Sequence, residues 1–252
     1  MKRIAAAFVM IALAIPGARA EEPARIALLT TYKCKPADRP ALREYLEGPA
    51  ATQIAQWRRD KKFGDSLLLF GLDVDDQLWD ALLLLRFDSW SQYASWKDVE
   101  KNFPAGLTRS ALELTSGVTS TLAEVAWEGS VAAEKRKAVK AVYFVRPYYF
   151  DDRNTYRKFF DAYNKPQFQA WLREGAITRY WGVLNQNPSG HAWGVQLIYE
   201  YPGWEAATGR DSLKAGLAPE LKGNAAWDLL GEVKDKIRSA GRVTLAEAIP
   251  IR

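Results

Sequence analysis

The chain has 252 residues, 48% of them hydrophobic, and carries 35 Lys and Arg against 30 Asp and Glu for a formal charge of +5. Its single Cys and single His exclude an intramolecular disulfide and any site that needs two His from one chain. Stability must come from core burial, for which the 12% aromatic share is ample.

Residues 1–20 have the order of a Sec-type signal peptide. Lys2 and Arg3 form a basic start, Ile4 to Ile15 is apolar, and Pro16-Gly17 breaks the run. Ala18-Arg19-Ala20 is a small-x-small cleavage site before Glu21-Glu22. The run is too short to span a bilayer. Cleavage after Ala20 predicts a soluble periplasmic or secreted protein; the alternative is an uncleaved N-terminal anchor. Without Lys2, Arg3 and Arg19 the charge falls to +2, so the basic balance gives no reason to expect nucleic acid.

Ile26 to Tyr32 is an apolar run that predicts a strand, and Cys34 to Arg39 a turn around Pro36. A helix from about Arg39 to Asp60 carries Leu42, Tyr45, Leu46, Ile54 and Trp57 on one stripe. Ser66 to Leu72 and Trp79 to Phe87 are strands joined by the acidic turn Asp73-Val74-Asp75-Asp76. Ser89 is the predicted N-cap of a second helix with Trp90, Tyr93 and Trp96. Thr119 to Trp127 is a fourth strand, and residues 129–140 are a charged connector.

The order then repeats. Val142 to Tyr149 is a strand, and Asp151-Asp152 starts a helix with Tyr156, Phe159, Phe160, Phe168 and Trp171. Thr178 to Leu184 and Trp193 to Tyr201 are strands around Asn187-Pro188-Ser189-Gly190. Trp204 to Ser239 is helical with a break near Gly216 to Pro219, and Val243 to Ile251 is the last strand. A shift of 114 positions superposes Trp57 on Trp171, Trp79 on Trp193 and Trp90 on Trp204. Arg39, Arg43, Gln53 and Arg59 land on Arg153, Arg157, Gln167 and Arg173. Thr121-Leu122-Ala123-Glu124 recurs as Thr244-Leu245-Ala246-Glu247 at an offset of 123, so the second copy has about nine extra residues. The domains expected are a repeat over 21–128, the connector, and a repeat over 141–252.

Strand, helix, strand, strand, helix, strand is the ferredoxin-like split βαβ order, so the fold class is α+β. Helices cover one sheet face only. Leu82 and Leu84 make the other face of the third strand apolar too, opposite Trp79, Ala81, Leu83, Leu85 and Phe87. That face must be buried, and with two copies in one chain the economical solution is sheet against sheet.

The order, the repeat length and the tandem copying resemble the dimeric α/β-barrel superfamily, with small domains most similar to the NIPSNAP, EthD and antibiotic-biosynthesis-monooxygenase types. The resemblance is architectural and covers nearly all the chain after the signal. It implies two ferredoxin-like repeats closing one intrachain α/β barrel, and a function drawn from cofactor-independent oxygenases, isomerases, haem-binding enzymes or proteins without a reaction. The tandem copy supplies the second barrel half, so a monomer is expected, with higher assembly through outer helix faces left open.

Positions where the copies differ mark a candidate site. Trp181, Gln196 and Tyr199 stand where the first copy has Leu67, Leu82 and Leu85, and buried hydrogen-bonding groups need partners or a ligand. With Arg146, Tyr148 and Asn185 they form the candidate ligand-binding set for a small apolar or aromatic molecule, Arg146 stabilising an anionic form. Pairing of these groups among themselves, in a non-catalytic structural or interaction module, is the competing expectation. No cofactor is predicted. His191 would be the haem ligand if one were bound, but it follows a turn and reads as a loop tip. Trp57, Trp171, Trp90 and Trp204 read as core, and Arg39, Arg43, Arg153 and Arg157 as a solvated helix face or carboxylate partners. Arg86 and Glu200 are equivalent positions of opposite charge, open to an ion pair in the barrel or to solvation. Cys34 reads as a buried thiol.

Overall fold

Side-chain alternation along the strands decides the architecture. In the computed structural model, which describes residues 26–132, 140–188, 192–209, 221 and 223–251, strand β1 (Ile26–Cys34) sends Ala27 and Leu29 one way and Ile26, Leu28, Tyr32 and Cys34 the other. β2 (Asp65–Gly71), β3 (Ala81–Phe87) and β4 (Thr115–Ser130) alternate likewise. They form the sheet β4-β1-β3-β2. β5 (Val142–Tyr149), β6 (Arg179–Asn185), β7 (Val195–Tyr201) and β9 (Thr244–Ala248) form the same sheet again, in the order β9-β5-β7-β6. A two-residue strand β8 (Ser239–Ala240) adds to the end of β5.

Neither sheet stands alone. β4 pairs with β6 from Ala123↔Asn185 to Ser130↔Arg179, and β2 pairs with β9 from Leu69↔Ala248 to Gly71↔Ala246. The two seams close an eight-stranded antiparallel α+β barrel of two ferredoxin-like units. Its interior is an apolar cluster that includes Leu29, Leu69, Leu82, Leu84, Val145, Val183 and Ile198, and Trp193 packs against it; so does Trp79, expected on the opposite face, because it precedes β3 and the strand's alternation does not extend to it. The first repeat's outer core gathers Leu42, Ile54, Trp57, Phe63, Trp96 and Leu107, and the second's Phe144, Tyr156, Phe160, Phe168 and Trp171. Each last strand crosses over: Ile249 packs into the first repeat's core, and Ala126 and Trp127 into the second's.

The first helix of each repeat is broken in the same register. α1 (Arg39–Tyr45) runs through a π turn (Leu46–Ala50) into α2 (Ala51–Arg59). After α3 (Trp90–Glu100) and α4 (Arg109–Leu112), α5 (Arg153–Phe159) runs through a π turn (Phe160–Asn164) into α6 (Lys165–Arg173). The caps are side chains: Ser89 Oγ accepts from the Gln92 N–H at 3.2 Å and Asp152 Oδ1 from the Thr155 N–H at 2.6 Å. α7 (Trp204–Thr208) and α8 (Ala225–Ile237) complete the second repeat; the expected break near Gly216 to Pro219 lies outside the described residues.

Of the two readings open for the arginines of the first helices, the structure shows carboxylate partners, with Asp80, Glu247 and Glu124 in place of the helix-start Asp38 and Asp152. Arg39 is buried, ion-paired with Asp80 and donating to the Gly71 carbonyl at 2.6 Å. Arg153 makes the equivalent bond to the Asn185 carbonyl at 3.1 Å. Arg153 and Arg157 both hold Glu124, while Arg43 holds Glu247 at 2.5 Å with help from Lys140. These carboxylates end the duplicated Thr-Leu-Ala-Glu. Each comes from the last strand of one repeat and is gripped by the first helix of the other, so the recurring tetrapeptide marks a reciprocal clasp across both seams.

Arg86 and Glu200 do not meet. Arg86 forms a two-point ion pair with Glu128 at 2.9 and 3.0 Å, while Glu200 accepts from Tyr143 Oη at 2.8 Å and Thr178 Oγ1 at 2.6 Å. Their strands β3 and β7 sit on opposite sides of the barrel. Cys34 is buried, and burial followed by the Asp80 carboxylate pushes its thiol up to about 12.

Burial alone would raise the Glu247 carboxyl, but hydrogen bonds and charge from Lys140 and Arg43 outweigh it and hold it below the ordinary 4.5. A carboxyl depressed in the folded state adds stability above the unfolded value and loses it as pH falls through the folded one. Urea unfolding should show the wild type losing stability below pH 4.5 more steeply than Glu247→Gln. Equal slopes for the two would exclude a stabilising clasp at this seam.

Candidate functional site

Strand alternation divides the six candidate residues between two places. Trp181, Asn185 and Gln196 lie on the barrel-facing side of β6 and β7; Arg146, Tyr148 and Tyr199 lie on the helix-facing side of β5 and β7. Trp181 is part of the barrel core, with the Arg179 guanidinium 4.4 Å from its ring. Asn185 donates to the Trp193 carbonyl at 2.9 Å and accepts from the Asn187 N–H at 3.0 Å, so it ties the β6–β7 connection. Gln196 is buried with Oε1 unpartnered. The six therefore do not share one cavity, because neighbours in a strand face opposite ways.

Arg146, Tyr148 and Tyr199 share a cavity of about 480 Å³ between the second sheet and its helices, within the size range of small-molecule sites. Phe144, Tyr148, Tyr199 and Tyr201 form its sheet side, and Phe168 and Trp171 of α6 face them. Tyr163 and Asn164 enter from the π turn, and Trp227, Lys234, Asp235 and Arg238 from α8 and its C-terminal end. Tyr163 stacks on Trp227 at 4.7 Å, and the Trp227 indole donates to the Tyr163 carbonyl at 3.0 Å.

Arg238 is the organising charge. Its guanidinium lies 4.1 Å from the Tyr148 ring centre and 5.0 Å from that of Phe159, and it donates to Asn164 Oδ1 at 3.0 Å and Tyr156 Oη at 3.5 Å. Arg146 is 5.9 Å from the same Tyr148 ring and donates to the Gly241 carbonyl at 3.2 Å. Tyr148 thus sits between two cations, an arrangement that stabilises both through the ring face. Burial pushes the Tyr199 phenol well above 10.0, the Tyr148 charge adding to it and Arg238 opposing it; burial also raises Tyr163. These phenols are neutral hydrogen-bonding groups at neutral pH.

Arg238, Asn164, Trp227 and Tyr163 escape a strand-by-strand comparison of the copies. Asn164 replaces Ala50, a small-to-polar change of the kind used on the strands but hidden on a helix. A π turn is also invisible to a 3.6-residue pattern. Arg238 follows the extra residues of the second copy, where the 114-residue register no longer holds.

The first repeat's outer core is packed around Trp96. Trp96 is 1% exposed and packs edge-on against Trp57 at 5.1 Å and Phe63 at 6.0 Å, while Tyr32, the counterpart of Arg146, donates to the Ala105 carbonyl at 2.5 Å. Of the duplicated tryptophans, Trp57 and Trp171 are core as expected. Trp90 and Trp204 are not: they are 58% and 51% exposed at the starts of α3 and α7. A second cavity, about 520 Å³ at the β4–β6 seam, has Arg86, Asp65 and Glu128 on its wall, and these charges pair with one another.

Haem, which the superfamily resemblance makes an option, needs an imidazole, thiolate, thioether or phenolate on iron. The described lining offers only phenols of these, and burial keeps Tyr199 and Tyr163 protonated. The described lining thus offers haem no ligand type other than the phenols of Tyr148, Tyr163, Tyr199 and Tyr201, and His191 lies outside the described residues. Among the described residues no cluster of three or more His, Cys, Asp or Glu could hold a metal ion, and no helix is long and apolar enough to cross a membrane.

The sequence matches no protein-family model and no curated protein. Solved structures do match. An anthrone oxidase-like protein superposes with a TM-score of 0.59 at 12% identity, over 92% of this chain and 94% of its own. A putative monooxygenase from Lactobacillus acidophilus NCFM gives 0.57 at 13% over 91% and 95%. A mutant chlorite dismutase from Candidatus Nitrospira defluvii gives 0.50 at 9% over 90% and 91%. At these identities the likeness is one of fold: the chain has the dimeric α/β-barrel architecture, with both halves in one polypeptide.

Trp96→Ala hollows the first repeat's outer core and should cost roughly 3–5 kcal/mol, as large-to-small changes of buried aromatics do. Urea unfolding measures it; a cost near zero would show that the ring does not fill that space.

Proposed function

We propose that the second repeat binds a small planar aromatic molecule carrying an anionic or readily ionised oxygen. The observation that carries this reading is Arg238, held by Asn164 and Tyr156 at the wall of an aromatic cavity. A cation pre-positioned by two hydrogen bonds and set among rings suits a flat anion: the rings take its faces and the guanidinium its oxygen. The same arrangement favours an enolate or phenolate over its conjugate acid, the charge development that cofactor-free oxygenase or isomerase chemistry requires. The barrel lumen is not part of the proposed site: none of the residues that line the aromatic cavity belongs to the interior cluster.

Trp171 and Trp227 line the cavity, so quenching of tryptophan fluorescence reports occupancy. Naphtholates and aryl carboxylates should bind, and Arg238→Gln should weaken them about 10- to 100-fold, the worth of a hydrogen bond to a charged group. Neutral analogues of equal size should be little affected. Equal loss for neutral and anionic ligands would remove Arg238 from recognition. Oxygen uptake with the bound aromatics then separates catalysis from binding alone.

The second reading, a non-catalytic module, draws on the Asn185 and Glu200 networks, which are satisfied within the protein. The absence of binding across the whole panel would favour it.

Export belongs to the same proposal. Protein recovered from the periplasm should start at Glu21, which intact-mass measurement of the recovered chain reads directly. Retention of Met1 to Ala20 would make the N-terminal segment an anchor instead.

A further inference from the structure

We propose that the unpaired edge of β4 joins two copies of this chain through antiparallel self-pairing centred on Val118. β4 is sealed by β6 only from Ala123 onward. Before that point, among the described residues, it pairs with β1 alone, and residues 116–120 are exposed. The Gln186 N–H donates to the Leu122 carbonyl at 3.0 Å, so Leu122 directs its backbone groups away from β1. In a regular strand every second residue does the same, which turns the N–H and C=O of Val118 and Ser120 outward.

From Gly117 to Thr121 the edge pairs in regular register with β1, and its one irregularity is the register shift at Ser116. Thr115 to Thr121 reads Thr-Ser-Gly-Val-Thr-Ser-Thr, with no charge and no Pro, although natural edges are blunted by Lys, Pro or a break in the strand. The other repeat shows what protection looks like. Tyr148, the counterpart of Cys34, pairs with Ala240 of β8, but the strand then breaks at residues 241–243 before β9 begins. Arg242 stands in that break, ion-paired with Asp75 at 2.6 Å. One copy of the duplicated edge is interrupted and charged; the other is neutral and keeps its pairing to β1, with a single register shift at Ser116 between the Lys33↔Gly117 and Cys34↔Thr115 pairs.

The occupant that fits is the same strand. Read outward from Val118, the segment is near-symmetric: Ser116 mirrors Ser120 and Thr115 mirrors Thr121. An antiparallel pair about a twofold axis places each residue opposite its mirror position, so Val118 faces Val118 and each donates its N–H to the other's carbonyl. No like charges approach. Val118, 38% exposed, is covered by its counterpart. A register centred on Ser120 would need the Leu122 carbonyl, which Gln186 already occupies. The new pair continues the β4–β6 seam along the same edge.

Sedimentation velocity of the purified protein from about 1 to 100 μM, the span of a weak to moderate association, tests this. The wild type should pass from monomer to dimer in that range. Val118→Pro removes only an outward N–H, so it should stay monomeric at every concentration with an unchanged melting temperature. Val118→Lys, which sets two like charges face to face, should also be monomeric, and it covers the case in which the proline disturbs β1. Thr119→Pro removes a bond to β1 and should lower the melting temperature. A wild type that is monomeric throughout would overturn the proposal. So would dimerisation of Val118→Pro and Val118→Lys as strong as that of the wild type, since the dimer would then form elsewhere.

Discussion

A four-stranded sheet with helices on one side leaves its other face apolar, and that face has to leave water. Leu82, Leu84 and Leu29 of the first repeat meet Val145, Val183 and Ile198 of the second inside one barrel. Everything else is arranged around that contact. The last strand of each repeat crosses to the other's edge, because eight strands close a ring only if both seams form. Closure also explains why the barrel itself is no binding site. Eight-stranded barrels are just wide enough for side chains to fill them, and here they do.

The seams are reinforced by charge from the duplicated sequence. Glu124 and Glu247 reach the first helix of the opposite repeat, where Arg153, Arg157 and Arg43 wait. Such contacts add little when fully exposed, but Glu247 is buried, and breaking a buried pair strands a charge. Two identical tetrapeptides thus perform one task twice.

Elsewhere the copies have diverged. Both first helices contain a π turn at the same place, and a π turn re-aims the side chains after it. In the first repeat that position is Ala50, beneath a core packed by Trp96. In the second it is Asn164, which holds Arg238 over Tyr148. One half became a solid support and the other opened an aromatic cavity with a cation in its wall.

Much of this was legible in the residues. The 114-residue register, the strand–helix order and the two apolar faces of β3 predict the repeat and the barrel, because hydrophobic periodicity and repeat length are local properties. The site was legible only in part. Arg146, Tyr148 and Tyr199 stand out as polar or aromatic replacements, but so do Trp181, Asn185 and Gln196, which face the barrel. A period of two tells which residues share a face and not which face is inside, since a shift of one residue exchanges them. Trp90 and Trp204 mislead in the same way, because recurrence at one helix position does not say whether that position is covered. Arg238 and Asn164 meet across 74 residues through the packing of α8 on the π turn. The elements, their order and their duplication follow from local periodicity and can be read along the chain. Which faces turn inward, which arginines are paired and where the cavity opens depend on which distant elements pack together, and that is a property of the folded molecule.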